Sequence, residues 1–328
     1  MLGLTHRAPI LVACAATAAL LTATLVPAAH AAPTRAGGSV KLCDPAEDAH
    51  AADARMARLG RADDQRNYSL RQLRRIDARL NRNLEREQQT AGGARSGLTL
   101  RIPIHAHVID GSRANGPAKK RVRRQIEILN WAYSGGQSPN NSDTRFRFYL
   151  QSFDRTRNQS WYTATMFDPA DRRLRRTLHR GGSESLNLYF SAPQSRAAGS
   201  AILGWSSVPW QNKRLPRLDG VTIHQASMPG GRFRGYNRGD TAVHEVGHWL
   251  GLFHTFEGGC SSGNDRVDDT PAEARPSLQC QVGRDTCTAP GNDPVRNFMD
   301  YSFDTCMNMF TPGQIGRMTD NWLAYRTP

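Results

Sequence analysis

Residues 244–254 read HEVGHWLGLFH, a segment that holds three histidines and two glycines. In a helix, His244 and His248 lie four residues apart on one face, so both imidazoles can bind one ion. Glu245 is one residue further round the helix, where it can take a proton from water at that ion. Asp240 is a suitable N-cap for the start of such a helix. The segment therefore predicts a helix with two metal ligands and a general base.

The residues after this helix supply a candidate for the third protein ligand that tetrahedral zinc needs. Gly251 can adopt the left-handed conformation that ends a helix, so the chain can turn back sharply. His254 then reaches the same ion. The alternative is an ordinary amphipathic helix with solvent-facing histidines, which leaves three histidines and a glycine at this spacing unexplained.

A second segment, NFMDY at residues 297–301, supports a family resemblance. The two segments resemble the extended zinc motif and the methionine turn of the metzincin metallopeptidases. Their wording is similar to the pappalysin family, including its secreted, ulilysin-like bacterial members, and the resemblance covers roughly residues 98–326. It implies an α+β fold, in which a twisted mixed sheet with backing and active-site helices lies above an irregular, disulfide-tied lower subdomain.

The resemblance also implies roles for residues near the second segment. Met299 is expected to form a packed floor beneath the zinc ligands, without a chemical role. Tyr301 is expected to donate a hydrogen bond to the oxyanion, and the resemblance implies that it approaches the metal in the resting enzyme. Relatives of this size favour a basic residue just after the scissile bond, so Asp304 or Asp300 is expected near that pocket.

The N-terminus predicts export. Arg7 gives a positive start, residues 10–26 form an apolar run, and an A-x-A cleavage signal ends at Ala31, so residues 1–31 are interpreted as a signal peptide. The apolar run is short for a membrane span, and we expect a secreted protein that is not embedded in a membrane.

The 328-residue chain has a formal net charge of +14, but its arginines are scattered and no basic block with interleaved aromatics argues for nucleic acid. We expect a monomer that acts on protein or peptide substrates.

The cysteines are interpreted in the light of export. Cys14 leaves with the signal peptide, and four clustered cysteines remain downstream: Cys260, Cys280, Cys287 and Cys306. In an oxidising compartment they imply two disulfides, for which three connectivities are open. Zinc ligation by the four is the alternative, and the lack of paired CxxC spacing disfavours it. The family resemblance favours Cys260 with Cys287 and Cys280 with Cys306.

Residues 32–95 are expected to form a propeptide ahead of a catalytic domain at residues 96–328. The segment is poor in large apolar residues, but leucines recur at helical spacing over residues 70–84, as in a small helix that docks on a larger domain. Glycine-rich residues 91–97 then mark a junction. Cys43 can place its thiolate at the open position of zinc, and pappalysin relatives are thought to use a propeptide cysteine in this way. A free or intermolecular cysteine is the alternative.

A polar loop after the zinc motif predicts a calcium site. Asp265, Asp268, Asp269 and Thr270 concentrate oxygen ligands that suit a hard cation. The wording VDDTP at residues 267–271 is similar to the calcium-bearing loop of ulilysin-like enzymes. A solvated acidic turn is the alternative.

Residues 201–210 predict an edge strand, because Gly204 and Pro209 are tolerated at a sheet edge. Metzincins bind an extended peptide along such an edge by backbone pairing, so Gly204 and Trp205 are candidates for substrate contact. Packing alone explains these residues equally well.

The sequence thus favours a secreted zinc endopeptidase that is made as a latent precursor, with catalytic zinc, structural calcium and its own propeptide as inhibitor. A catalytically silent, zinc-containing extracellular binding protein is the alternative, and the presence of Glu245 argues against it. A basic adhesin for anionic surfaces is a second alternative.

Overall fold

The computed structural model describes residues 68–91, 99–194 and 202–327. These residues contain seven α-helices: α1 (Leu70–Ala91), α2 (Lys119–Tyr133), α3 (Gln159–Tyr162), α4 (Pro169–Leu178), α5 (Pro209–Asn212), α6 (Asp240–Trp249) and α7 (Pro312–Tyr325). They also contain five strands: β1 (Leu100–Asp110), β2 (Phe146–Arg157), β3 (Leu186–Ser191), β4 (Gly204–Ser206) and β5 (Val221–His224). The predicted signal peptide, Cys43 and the junction at residues 92–97 lie outside the described residues.

The five strands form one mixed sheet in the order β2-β1-β3-β5-β4. The neighbours from β2 to β5 are parallel, and β4 is antiparallel to β5. The predicted edge strand is therefore at an edge of the sheet, but it spans only three residues. Its predicted length was wrong because Pro209 begins the short helix α5 and does not continue the strand. Proline suits the first turn of a helix, where its missing N–H has no helical partner.

One apolar core joins the sheet to helices α2, α6 and α7. Ile102, Ile104, Ala106 and Val108 alternate along β1, and all four are fully buried. Helix α6 packs against α2, β4 and β5. Every residue of α6 is buried, so its polar side chains are held inside the protein. Within the described ranges, no helix has the length and apolar character that a bilayer span requires.

A buried ion pair that the sequence did not predict anchors the C-terminal end of α6. Arg326 donates from Nη1 to Asp219 Oδ2 at 2.9 Å and from Nε to the Trp249 carbonyl at 3.0 Å. Its guanidinium carbon lies 3.5 Å from the Trp249 ring centroid. Burial alone would raise the pKa of Asp219. Arg326 and the hydrogen bonds to this carboxylate lower the pKa by more than burial raises it, so the net pKa is below its usual value. The last turn of the chain thus holds the end of the helix that carries two of the histidines.

The region between α6 and α7, residues 255–311, consists of turns and isolated bridges. Two disulfides close it, Cys260–Cys287 and Cys280–Cys306, with Cα–Cα distances of 5.4 and 5.5 Å. This is the pairing that the family resemblance implied, and it occupies all four sulfur atoms. Zinc ligation by these cysteines is therefore excluded in this structure.

Helix α7 begins with a capping box, which the sequence TPGQ at residues 311–314 predicts. Thr311 Oγ1 accepts from the Gln314 N–H at 3.1 Å, and the Gln314 side chain accepts from the Thr311 N–H at 3.0 Å. Asp269 adds to this cap, because its carboxylate accepts from Thr311 Oγ1 at 2.6 Å and from the Gly313 N–H at 2.8 Å. Asp269 therefore joins the irregular region to the last helix.

Candidate active site

Helix α6 ends in the turn that brings the third histidine to the other two. Gly251 has a φ of 96°. Its N–H donates to the His248 carbonyl at 2.9 Å, and the Leu252 N–H donates to the Gly247 carbonyl at 3.0 Å. This pair of bonds is the Schellman arrangement, in which a glycine in the left-handed region closes the helix. The chain then turns back, and His254 comes to lie beside His248.

The start of α6 differs from the sequence prediction. The N-cap is Gly239, with a φ of 107°, and Asp240 is the first helical residue, so the prediction of Asp240 as N-cap was wrong. The carboxylate that accepts from this end belongs to Asp304, whose Oδ2 lies 2.7 Å from the Arg238 nitrogen and 3.1 Å from the Gly239 nitrogen. Asp240 Oδ1 instead accepts from Gln137 at 3.0 Å. Reasoning from neighbouring residues misses a cap supplied from more than sixty residues away.

Three imidazole nitrogens converge at the centre of the site. His248 Nε2 lies 3.1 Å from Nε2 of His244 and 3.1 Å from Nε2 of His254. The three residues are 2–7 % exposed. In the described part of the chain, they form the one group of three or more His, Cys, Asp or Glu side chains with ligand atoms close enough to share an ion.

The protons on two of the three imidazoles are placed by backbone carbonyls. His244 Nδ1 lies 2.6 Å from the Phe298 carbonyl, and His248 Nδ1 lies 2.9 Å from the Leu252 carbonyl. A carbonyl can only accept, so each Nδ1 carries a proton and each Nε2 of the neutral ring presents a lone pair. Lone pairs about 3 Å apart repel unless a cation lies between them. A tetrahedral zinc ion, with Zn–N distances of about 2.0–2.1 Å, sets its ligands about 3.3 Å apart, so these residues fit zinc.

Met299 lies directly beneath α6. It is fully buried, and a Cβ added to Gly247 would meet its sulfur at 2.4 Å. The backbone of the same loop holds the site together, since the Met299 carbonyl accepts from the Thr255 N–H at 3.2 Å. Met299 therefore packs against the helix that carries His244 and His248. Gly247 was not singled out from the sequence, although any side chain at this position would collide with the Met299 sulfur.

Glu245 and the edge strand lie in contact. Glu245 is 2 % exposed, and a Cβ added to Gly204 would meet its Cγ at 2.9 Å and its Oε1 at 3.1 Å. Gly204 thus brings β4 close to the predicted general base. Trp205 is 1 % exposed as a whole residue, so its side chain packs inside the protein.

Tyr301 lies beside the histidines. Its ring centroid is 5.0 Å from that of His254 and 5.8 Å from that of His244. Phe256 stacks on His254 with centroids 4.7 Å apart and also contacts Tyr301. Two aromatic rings therefore line the site next to the third histidine.

The two aspartates predicted near the specificity pocket have different surroundings. Asp300 Oδ1 accepts from the N–H groups of Ser277 and Tyr301, at 2.9 and 2.7 Å, so this carboxylate braces its own loop. Burial raises the pKa of Asp300 to about 7. Asp304 uses Oδ2 for the start of α6, while its buried Oδ1 has no hydrogen-bond partner among the described residues. Burial raises the pKa of Asp304 to about 6.

Glu273 is a buried carboxylate that the sequence did not single out. It is fully buried, and its Oε2 accepts from Thr255 Oγ1 at 2.7 Å, one residue after His254. Arg284 donates to its other oxygen at 2.9 Å. Burial, followed by the charge of Asp300, raises the pKa of Glu273 to about 9. No local motif marks this residue, because its partners come from separate loops.

Of the four predicted calcium ligands, Asp265 and Thr270 are buried, and Asp268 and Asp269 are exposed. Asp265 is 1 % exposed, and Asp265 Oδ2 and Thr270 Oγ1 are buried atoms without a hydrogen-bond partner in the described ranges. Burial raises the pKa of Asp265 well above its usual value, and Thr270 is near enough to lower it in part. Asp268 is exposed, and Asp269 caps α7. The buried pair of oxygens thus belongs to Asp265 and Thr270.

Comparisons with known proteins agree with this site. The family model described as pregnancy-associated plasma protein-A, a peptidase family, matches residues 233–323. An extracellular metalloprotease of Arthroderma benhamiae is 39 % identical over 230 residues, which cover 69 % of this chain and 73 % of the relative. One of Pyricularia oryzae is 38 % identical over 240 residues, with 72 % and 79 % covered. This chain belongs to the pappalysin family of zinc metalloendopeptidases.

Solved structures show the same fold. Mature mirolysin of Tannerella forsythia, in complex with a cleaved peptide, has a TM-score of 0.59 and 26 % identity, with 70 % of this chain and 99 % of that chain covered. A promirolysin variant has a TM-score of 0.63 and 24 % identity, with 84 % and 93 % covered. The metzincin-like α+β fold of this pappalysin is therefore confirmed.

Replacing Gly251 with alanine is expected to lower both stability and zinc content. The left-handed conformation costs an L-residue about 1–2 kcal/mol, and the new Cβ would lie 2.3 Å from the Asn321 side chain. Relief of this contact moves the turn that carries His254. Thermal unfolding and zinc per protein measure the two effects.

Gly316→Ala is the matched control, because a Cβ there meets nothing within 4 Å. It is expected to keep full zinc content, and alanine inside a helix is favoured over glycine by about 0.5–1 kcal/mol. Equal zinc content in the two variants would contradict the role given to Gly251.

Proposed function

We propose that this pappalysin is secreted as a latent precursor and cleaves peptide bonds of protein substrates. The observation that carries the proposal is the convergence of three buried imidazole nitrogens, two of them on the helix that also carries the buried Glu245. Relatives that are named extracellular metalloproteases support export. The likeness to promirolysin covers a larger share of this chain than the likeness to mature mirolysin, which supports a precursor form.

His244, His248 and His254 would hold the zinc. Bound zinc supplies a water of pKa about 7 and polarises the scissile carbonyl. Glu245 accepts the proton of the attacking water and passes it to the leaving amine. The contact with Gly204 limits the positions that its carboxylate can take. The Phe298 and Leu252 carbonyls keep two Nε2 atoms unprotonated, so the ligands remain available throughout the reaction.

Tyr301 is placed to assist at the carbonyl oxygen. Its ring centroid lies 5.0 Å from that of His254 and 5.8 Å from that of His244, so its hydroxyl can donate to an oxyanion that forms beside them. Met299 takes no part in proton transfer. Its packing against Gly247 keeps the floor of the site rigid.

The outer edge of β4 is the proposed substrate rim. β4 pairs with β5 on one side only and ends the sheet. An edge strand presents unpaired backbone groups to which an extended peptide can add. Gly204 brings this edge to Glu245, so a peptide paired with the backbone of Gly204 and Trp205 would have its scissile bond near the base.

The chain is expected to digest a denatured protein once residues 32–95 are removed, and Glu245→Ala is expected to abolish this activity. General-base catalysis contributes about 10²–10⁴-fold, so the loss should be at least a hundredfold. A zinc chelator should have the same effect, and zinc should restore the wild type but not the variant. Cut sites are read by mass spectrometry.

Glu127→Ala is the control, since Glu127 pairs with exposed Arg124 and its side chain is 62 % exposed. It should retain full activity. If Glu245→Ala cuts at the wild-type sites, Glu245 is not the base. If the processed wild type holds zinc but cuts nothing, the zinc-containing binding protein becomes the better account.

Asp304 is the proposed acid of the pocket after the scissile bond, and a basic residue is the preferred occupant. Its Oδ2 is held by backbone N–H groups, while Oδ1 lacks a partner among the described residues. Asp300 is less suited, because its own loop uses both oxygens. Asp304→Asn keeps an oxygen for the cap and removes the charge.

In a peptide library, Asp304→Asn is expected to lower kcat/KM at least tenfold for Lys or Arg after the scissile bond. Each factor of ten corresponds to about 1.4 kcal/mol. Neutral residues at that position should change little. Asp300→Asn should keep the basic preference, and loss of the preference in Asp300→Asn alone would reverse the assignment.

Latency is proposed to rest on Cys43, which lies outside the described residues. A thiolate is a strong zinc ligand and excludes water from the fourth position. Residues 1–31 would act as the signal peptide, residues 32–95 as the propeptide and residues 96–328 as the catalytic domain. Removal of the propeptide would then expose the site.

Calcium is proposed to bind at Asp265 and Thr270. Within the described ranges, no hydrogen bond of ordinary geometry reaches Asp265 Oδ2 or Thr270 Oγ1, and burial of these oxygens is costly unless a cation or proton satisfies them. Asp265→Asn is therefore expected to be as stable as the wild type without calcium, because it removes a buried carboxylate. With calcium at one hundred times its Kd, the wild type should gain about 2.7 kcal/mol and the variant should not.

Thermal unfolding with and without calcium measures this difference, with the exposed Asp268 changed to asparagine as the control. Equal stabilisation of wild type and Asp265→Asn by calcium would contradict the site.

A further inference from the structure

Helix α1 docks on the catalytic domain through an apolar stripe. Leu73 is fully buried, Leu80 is 5 % exposed, and Ile76 and Leu84 are partly buried beside them. The surface that receives the stripe is formed by five residues from three parts of the domain: Val208, Trp210, Phe253, Ala324 and Tyr325. Tyr68, just before the helix, packs edge-on against Phe253 at 5.3 Å. The apolar contact therefore reaches the residue next to His254.

A single carboxylate lies within this apolar stripe. Asp77 forms ion pairs with Arg317, at 3.1 Å, and with Arg266. Its side chain is 18 % exposed, and that of Arg317 is 8 % exposed. A partly buried carboxylate between two arginines gives the docked helix one register, because a shift by one turn would separate Asp77 from both arginines.

Arg317 connects this ion pair to the zinc-binding turn. Its Nε donates to the Gly251 carbonyl at 3.0 Å, and its guanidinium lies 4.7 Å from the Phe253 ring centroid. Gly251 closes α6, and Phe253 precedes His254. Asp77 thus fixes the position of Arg317. Arg317 contacts both Gly251 and Phe253, at the two sides of the turn that leads to His254.

We propose that the surface formed by Arg266, Arg317, Trp210, Phe253 and Tyr325 is a docking site for an amphipathic helix that carries a carboxylate between leucines. Its occupant is the chain's own segment 68–91, which stays bound after the chain is cut within residues 92–97 and clamps the turn that carries His254. This inference rests on the proposed precursor. The contact that it assigns to α1 is separate from the proposed binding of Cys43 at the zinc. When the helix later dissociates, the surface that it covered becomes exposed.

The test uses the whole secreted precursor with Cys43→Ala, so that no thiolate holds the propeptide at the zinc. A recognition sequence for a specific protease replaces residues 92–97, and the cut protein is examined by native mass spectrometry and gel filtration. The fragment is expected to remain bound, with a dissociation constant that can be measured by dilution.

Asp77→Asn is expected to weaken the bound fragment at least tenfold and to lower the melting temperature of the cut complex. Glu85→Gln is the matched control, because it makes the same charge change on an exposed position of the same helix. It should bind like the parent. Separation of the parent fragment during one gel filtration, or equal binding by the two variants, overturns the proposal.

Amide hydrogen exchange of residues 251–254 gives a second measurement if Asp77→Asn lowers the yield of folded precursor. Exchange in the parent is expected to rise when the fragment is stripped from the cut complex by dilution, and unchanged exchange contradicts the clamp. None of these measurements uses peptidase activity. If the fragment does not stay bound, the proposed peptidase function is unaffected. If the protein cleaves no substrate, the measurements of fragment binding can still be interpreted.

Discussion

The rest of the site depends on three imidazole nitrogens that are held close enough together to bind one cation. His248 Nε2 is 3.1 Å from both of its neighbours, and carbonyls keep the protons of His244 and His248 on the far side of each ring. Like partial charges at this distance repel strongly in a buried, weakly polar interior. The protein maintains the arrangement because the carbonyls of Phe298 and Leu252, from separate elements, fix the rings of His244 and His248.

These fixing elements come from distant parts of the chain. Gly251 turns the backbone so that the Leu252 carbonyl reaches His248, while the loop at Met299 supplies the Phe298 carbonyl for His244. The end of α6 is held by Arg326 through Trp249. A substitution in any of these elements would shift the histidine rings, because close packing couples the position of each ring to its neighbours.

The sequence predicts the parts of this arrangement that local spacing determines. Histidines at four-residue spacing, a glycine that closes a helix and the capping box at Thr311 each follow from short-range geometry, and all are present. What it does not predict depends on contacts between distant residues. The cap of α6 comes from Asp304, and Glu273 is buried by loops that the disulfides bring together. The edge strand is shorter than predicted because a proline that suits the end of a strand suits the start of a helix equally well.

The central claim is that this protein holds zinc through His244, His248 and His254. X-ray absorption at the zinc edge, recorded on the intact secreted precursor, tests it most directly. Three nitrogen ligands at about 2.0–2.1 Å with one sulfur at about 2.3 Å are predicted, and the sulfur should be lost in Cys43→Ala while the three nitrogens stay. A spectrum with two or more sulfur ligands, or with fewer than three imidazole nitrogens, would contradict the account.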